Sequence, residues 1–234
     1  MPKILIDGSW RFNKNVSINF DEHVKQSIPK YSFLQKNIAR MCEYFIKKNC
    51  IVYDVGCSTG STIVEIIKLK INFGFKIIGI DESPQMIKVA KTKLNNQYKK
   101  KIKFINKNFF HFKTSMKGNV VIASLITPFL DHKEKEIFFK KAYQLLNKNG
   151  ALILIDNINT TSSTFQNIFA NLYYDFKIDQ GLSRSHILKK AKSLRAPMTI
   201  STYDEIIDYI NQAGFSSYQT FYKIFNFIGL IIIK

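Results

Sequence analysis

Five short apolar runs rich in β-branched residues, Ile51–Val55, Lys76–Ile80, Ile102–Ile105, Val120–Ser124 and Ala151–Ile155, recur along the chain. Between them lie segments of helical periodicity, Ser61–Lys70, Ser83–Tyr98 and Lys133–Asn147. Short, nearly continuous apolar runs suit strands covered on both faces, and strands separated by helices pair in parallel through crossovers. The alternation therefore predicts an α/β architecture with a mostly parallel sheet. After Ile155 it breaks: a polar stretch, NINTTSSTF, leads into an aromatic helical segment around Asn167–Phe176, and a basic segment runs from Ser185 to Arg195. The pattern resumes with a helix over Thr202–Ala213, stopped by Gly214. Two last runs, near Ser217–Phe221 and Asn226–Ile233, suit an antiparallel hairpin at the sheet edge and bring the expected strand count to seven.

The first run leads into V52-Y-D-V-G-C-S-T-G-S-T62, a strand followed by G-x-x-x-G and a helix. At such a turn Gly56 and Gly60 let the backbone approach a ligand closely, and the helix start offers free N–H groups. The spacing differs from G-x-G-x-x-G, so a nucleoside ligand without phosphates fits better than a dinucleotide. Alone, the pattern also fits an ordinary turn. The second run continues as I77-I-G-I-D-E-S-P84 and reaches Asp81, 25 residues beyond Gly56. A carboxylate at that position accepts hydrogen bonds from ribose hydroxyls. Asp81 or Ser83 also fits a helix cap, with Pro84 in the first turn. The two roles are compatible, because Asp81 precedes the cap.

These features divide the 234 residues into one domain with a helical cap over 1–50, helical around Tyr31–Lys47, and a cofactor-binding core over 51–156. A cap or insert over 157–200 and a C-terminal helix and hairpin over 201–234 complete it. The net charge of +18 points toward nucleic acid or an anionic surface. However, only Arg11, Arg40, Arg184 and Arg195 are arginines, the residue favoured for base readout and phosphate clamping, and the lysines are dispersed. A functional basic surface and compositional drift both fit. The cluster H186-I-L-K-K-A-K-S-L-R195 fits either RNA phosphates or a solvated helix face. Cys42, Cys50 and Cys57 lack disulfide or zinc spacing, which points to a reducing cytoplasm, and His23, His111, His132 and His186 show no ligand pattern, so no metal is expected. The longest apolar run, Phe225–Ile233, is about half of the roughly 20 residues that span a bilayer, and Met1–Trp10 lacks the apolar stretch of an export signal. No membrane partner is expected.

The segments D54-V-G-C-S-T-G60 and G79-I-D-E-S-P-Q-M86 resemble those of Rossmann-like class I methyltransferases that bind S-adenosylmethionine. Beyond them, S27-I-P-K-Y31-S within the Trp10–Tyr31 segment, Y174-D-F-K177, A213-G-F215 and F225-N-F227 are similar to the carboxy-S-adenosylmethionine synthase family, over almost the whole chain. The resemblance implies conversion of S-adenosylmethionine and prephenate to carboxy-S-adenosylmethionine and phenylpyruvate by a homodimer. It further implies that the product passes to a tRNA carboxymethyltransferase acting on the wobble uridine. Carried over in this way, Tyr31 contacts the cofactor from the cap, Gly56, Cys57 and Ser58 line its methionine end, and Asp81 and Glu82 hold the ribose. Asn108 and Phe109 stand beside the adenine where the family has an acidic and an aliphatic residue, and Ser124 stands where it has Asn. The family grips the distinguishing carboxylate with an arginine, and an ungapped reading puts Ala191 there, flanked by Lys190 and Lys192 with Arg195 one helical turn on. In the family reaction a sulfonium ylide captures CO2 released from prephenate, so positioning and water exclusion carry it, and no catalytic side chain is assigned. Cys57 is read as a small loop residue, not a nucleophile. Phe109, Phe110 and Phe112 fit either base stacking or core filling.

Overall fold

The computed structural model describes residues 14–94, 98, 100–195 and 197–234. Trp10, positions 95–97 and the side chain of Arg195 lie outside the described residues. The strands are β1 (Ile51–Val55), β2 (Lys76–Asp81), β3 (Ile102–Asn106), β4 (Gly118–Ser124), β5 (Leu146–Asn157), β6 (Ser217–Ile224) and β7 (Phe227–Ile233). They form one seven-stranded sheet in the order β3-β2-β1-β4-β5-β7-β6. The first five run parallel, and β7 is antiparallel to both β5 and β6. The helices are α1 (Lys14–Ser27), α2 (Tyr31–Glu43), α3 (Ser61–Lys68), α4 (Pro84–Lys93), α5 (His132–Leu145), α6 (Ser163–Asp179), α7 (Arg184–Arg195) and α8 (Tyr203–Ala213).

The pleat of each strand sends successive side chains to opposite faces, and both faces are covered. Tyr53, Val55, Val121, Ala123, Leu152 and Leu154 meet Phe138 and Phe139 of α5 and Ile206 and Ile210 of α8. On the other face Val52, Ile77, Val120, Ile122 and Ile153 meet Ile38 of α2, Ile63 and Ile66 of α3 and Ile87 of α4. Most of these side chains are fully buried, which stabilises the fold by about 1.5–3 kcal/mol for each large aliphatic one. The strand order reverses between β1 and β4, and in open α/β sheets the crevice beyond the carboxyl ends at that reversal is where ligands bind.

Boundaries differ from the sequence reading where irregular backbone extends a strand. The expected strand at Ala151 begins at Leu146 instead, because Gly118 pairs with Leu146 across a register shift before the regular ladder starts at Val120 and Ala151. A similar shift at Phe221 carries β6 on to Ile224, and a two-residue turn, Phe225 (φ 49°) and Asn226, returns the chain into β7. The aromatic and basic segments after Ile155 are the long helices α6 and α7, and α1 is a further helix in the cap. Among the described residues no helix is long and apolar enough to cross a membrane.

The connection into α8 is fixed from inside. Lys135 of α5, only 1% exposed, donates to the Thr199 carbonyl at 2.5 Å and to Ser201 Oγ at 2.7 Å. Thr199 N donates to the Pro128 carbonyl at 2.8 Å, so this segment is tied both to α5 and to the loop after β4. Burial lowers the pKa of the Lys135 amine, and the nearby carboxylates Asp156, Glu205 and Asp131 oppose that shift. Lys135→Ala leaves the Thr199 carbonyl and the buried Ser201 hydroxyl without this donor, and urea unfolding should show a loss of at least about 2 kcal/mol.

Candidate active site

The glycine turn is stitched to its neighbour strand. Gly56 N and Cys57 N both donate to the Ile80 carbonyl, at 2.8 and 3.1 Å, and Gly60 N donates to the Cys57 carbonyl at 2.8 Å. Gly56 has φ +66°, and a Cβ there would lie 2.1 Å from Ile126 Cγ2 in the loop after β4. Backbone conformation and space thus both require glycine at this position. At Gly79 a Cβ would come within 3.0 Å of Cys57 Sγ and 2.9 Å of Phe104, so the strand passes close beneath the loop. Cys57 is buried, and burial first, then the charges of Asp54 and Asp81, push its thiol well up, which leaves it unreactive.

Asp81 ends β2 with both carboxylate oxygens oriented. Oδ2 accepts from Ser58 N at 2.8 Å and Oδ1 from Ser83 N at 2.9 Å, while Ser83 Oγ caps α4 by accepting from Met86 N at 3.3 Å. The carboxylate and the cap therefore coexist on adjacent turns. Burial raises the pKa of Asp81, and the two backbone donors counter it. Glu82 lies at the exposed rim, where its Oε2 accepts from Asn108 Nδ2 at 2.8 Å, and Asn108 Oδ1 accepts from Phe110 N at 2.9 Å. Phe109, 8% exposed, packs on Phe138 with ring centroids 5.4 Å apart and also reaches the cavity. Core filling and a ligand-facing edge are both realised in that one ring.

Above the turn, α1 is latched down by Asp21. Its Oδ1 accepts from Thr59 Oγ1 at 2.6 Å and Ser61 Oγ at 3.1 Å, and its Oδ2 from Lys93 Nζ at 2.5 Å. Burial pushes the Asp21 carboxyl up, but these donors outweigh it and leave the pKa below its ordinary value. Tyr31 opens α2 after Lys30 in the left-handed region, and its pKa is raised first by burial and then by the charge of Asp21. Tyr173 of α6 donates to the Ser27 carbonyl at 2.8 Å, and Tyr222 of β6 donates to the Pro29 carbonyl at 2.6 Å, so the cap is bonded to α6 and to the edge strand.

These elements enclose a cavity of about 620 Å³ at the reversal of the sheet, within the usual size of ligand pockets. Tyr31, Gly56, Cys57, Ser58, Asp81, Glu82, Asn108, Phe109 and Ser124 all line it. Ala191 and Lys190 line it too, whereas Lys192 does not. Polar lining residues that the sequence reading did not assign to the site include Asp54, His23, Lys177 and Tyr173. Asp54 was visible as the acidic residue of an otherwise apolar strand, but its isolation was not. It is 2% exposed, and its Oδ2 has no hydrogen-bond partner.

Burial, reinforced by the charge of Asp81, raises Asp54 to about 8. The folded protein therefore holds a proton on Asp54 that the unfolded chain has already released, from about pH 4 up to about 8. This contribution to stability is complete at low pH and is lost as pH rises through that window. Urea unfolding of the wild type and Asp54→Asn across pH 3–9 should show the wild type's relative stability falling between about 4 and 8. A pH-independent difference would show that Asp54 ionises normally in the fold.

A family model described as a methyltransferase domain matches residues 46–215. Along nearly its full length the chain is similar to enzymes named carboxy-S-adenosyl-L-methionine synthase. That of Staphylococcus epidermidis is 32% identical, the match covering 96% of this chain and 97% of the relative. That of Methylococcus capsulatus is 26% identical over 95% of this chain and 93% of the relative. Among solved structures, an O-methyltransferase family protein from Burkholderia thailandensis superposes with a TM-score of 0.65 at 12% identity, covering 95% of this chain. Human N-acetylserotonin methyltransferase in complex with SAM superposes with a TM-score of 0.63 at 13% identity, covering all of it. This chain spans 60% of each of those longer proteins, and the likeness is one of fold. The methyltransferase domain and the full-length sequence match agree, and the chain belongs to the carboxy-S-adenosyl-L-methionine synthase family of class I methyltransferases.

Proposed function

We propose that this protein converts S-adenosylmethionine and prephenate to carboxy-S-adenosylmethionine and phenylpyruvate, for use by a carboxymethyl-transferring enzyme that modifies tRNA. The carrying observation is that one cavity brings Asp81, Glu82, Asn108 and Phe109 together with the glycine turn and Tyr31 of the cap, in a chain matched along nearly its full length by relatives of that name. Asp81 receives the ribose: its two oxygens are each fixed by one backbone N–H and keep lone pairs for two hydroxyls. Glu82 and Asn108, bonded to each other, close the rim beside it, and Phe109 offers its ring to the base. Tyr31 and Ser124 bound the cavity from the cap and from β4.

The residues present fit a cationic cofactor. Gly56 lets the substrate approach the backbone, and Asp54 presents an unpaired buried carboxyl oxygen to a group that brings positive charge. S-adenosylmethionine supplies a methyl group made acidic by its sulfonium. The chain's part is to orient this methyl group toward the second substrate and to keep water away from it, and the apolar cavity residues Phe20, Ile28, Met198 and Phe227 support the second task. The three free, buried cysteines support a reducing, cytoplasmic setting. Phe165, Ile168 and Leu172, 57, 45 and 45% exposed on α6, supply an apolar face that suits a homodimer.

Mass spectrometry after incubation with S-adenosylmethionine and prephenate should detect a nucleoside heavier by one CO2, with phenylpyruvate formed alongside. Recovery of unchanged S-adenosylmethionine, or methyl transfer to another acceptor, would replace this reading with an ordinary methyltransferase. Asp81→Ala should weaken S-adenosylmethionine binding by at least about 100-fold, since two charge-assisted hydrogen bonds are lost. Sedimentation should give a dimer of the 27.2 kDa chain.

A further inference from the structure

Positions 44–53, 66–80, 83–130, 137–155 and 209–234 contain no Asp or Glu, and the third of these stretches holds ten lysines. Each stretch carries the chain into one or more strands at the sheet end away from the cavity, whereas Asp54, Asp81 and Asp156 stand at or near the carboxyl ends of β1, β2 and β5. Lysines mark that far end in sheet order: Lys101 before β3, Lys76 opening β2, Lys48 before β1, Lys117 before β4, Lys148 in the irregular start of β5 and Lys234 after β7. Lys48, Lys76, Lys117 and Lys148 are exposed, and Lys101 and Lys234 are half-buried.

Hydrogen bonds between neighbouring strand ends fix this row. Ile77 N donates to the Lys101 carbonyl at 2.8 Å, Lys76 N to the Cys50 carbonyl at 2.9 Å and Asn149 N to the Lys234 carbonyl at 3.1 Å. Asn119 Nδ2 donates to the Phe45 carbonyl at 3.1 Å, and Asn147 Nδ2 to Asn119 Oδ1 at 2.9 Å. Adjacent strands lie about 4.8 Å apart, so the six ends span about 24 Å. Among the described residues Lys48, Lys76, Lys117 and Lys148 form no ion pair; of the acids nearest in sequence, Glu43 ends α2 and Glu65 bonds to Lys68 at 2.6 Å. Exposed rings alternate with these cations: Tyr44, 86% exposed, lies in the segment entering β1, and Phe73, 40% exposed, in the one entering β2.

Compositional drift adds lysines, but it does not clear acids from one end of a fold. Complementing helix ends accounts for Lys234, whose Nζ caps α5 through the Tyr143 and Leu146 carbonyls, and not for the row as a whole. Protein interfaces are depleted in lysine, and reading paired bases favours arginine, of which this chain has four. Rigid cations interleaved with exposed rings suit a polynucleotide whose phosphates meet the lysines and whose unpaired bases stack on the rings. We propose that this lysine-rich face docks a single-stranded segment of RNA. The choice of RNA rests on the cytoplasmic setting proposed above, and the face is independent of the reaction in the cavity.

Fluorescence anisotropy of the full chain with a labelled 20-nucleotide oligouridine, titrated over 50–300 mM salt, tests the face. Four to five phosphate contacts should give a slope of log K against log salt of about −3 to −4. The triple variant Lys48→Gln, Lys76→Gln, Lys117→Gln should bind at least about tenfold more weakly at 100 mM salt, with the slope shallower by about 2. Tyr44→Ala should weaken binding by at least about fivefold with the slope unchanged, because stacking releases no counterions. The charge-matched triple Lys133→Gln, Lys189→Gln, Lys192→Gln should stay within about threefold of the wild type. Urea midpoints close to that of the wild type establish that each variant is folded; should the first triple fail this check, Lys48→Gln with Lys117→Gln carries the same comparison. Equal losses from the two triples would show that binding follows net charge alone and would overturn the face. Tighter binding to an RNA duplex, to oligothymidine or to polyglutamate than to oligouridine would overturn single-stranded RNA as its occupant.

Discussion

A single carbonyl oxygen organises the site. Ile80 O accepts from Gly56 N and Cys57 N, which bends the chain leaving β1 back over β2 and brings Ser58 N onto the carboxylate of Asp81. With that bend fixed, Gly60 starts α3, and Asp21 can bring α1 down onto Thr59 and Ser61. The bend in turn requires a rigid pair of strands beneath it. Val52 and Ile77 on one face, and Tyr53, Val55 and Ile80 on the other, all at most 1% exposed, keep β1 and β2 in register. The apolar core thus reaches the chemistry through two backbone hydrogen bonds.

The two ends of the cavity carry opposite electrostatic character, which net charge alone does not reveal. Asp54 and Asp81 lie at the carboxyl ends of β1 and β2, and burial raises both. Lys177, Lys190 and His23 come from the cap, and burial lowers all three. Desolvation shifts each set toward its less charged form, so a ligand that brings the complementary charge shifts it back toward the ionised form. Of the lysines behind the +18 formal charge, Lys107, Lys177 and Lys190 line the cavity, whereas Lys192, two positions from Lys190, does not.

Much of the fold could be read from the sequence because buried parallel strands must be apolar on both faces, as Ile51–Val55 is apart from Asp54 and Lys76–Ile80 is apart from Lys76. Strand ends were harder to read, since the bulges near Gly118 and Phe221 depend on pairing partners distant in sequence. The glycine turn and Asp81 were legible by spacing, because both belong to one compact strand–turn–helix–strand unit. The basic corner was not: His23 and Lys190 are 167 positions apart and meet only when α1 and α7 pack. A one-dimensional alignment places Ala191 at the expected cation. On a helix, however, the next residue is turned by only about 100°, so neighbours can share a wall, and here Lys190 does. Asp54 illustrates the converse, a residue plain in the sequence whose significance depends on the absence of a partner in the fold.

The contact between Gly56 and Ile126 limits how such a site can change over evolutionary time. Trimming Ile126 would clear the space that a side chain at position 56 needs, yet φ of +66° would still penalise any residue with a Cβ. Relaxing the backbone instead would pull Gly56 N away from Ile80 O. The position is doubly locked, and no single compensating substitution opens it. Variation in ligand preference across such enzymes is therefore channelled into the helical cap, where cations can be moved from one helix position to the next without disturbing the turn that holds the nucleoside.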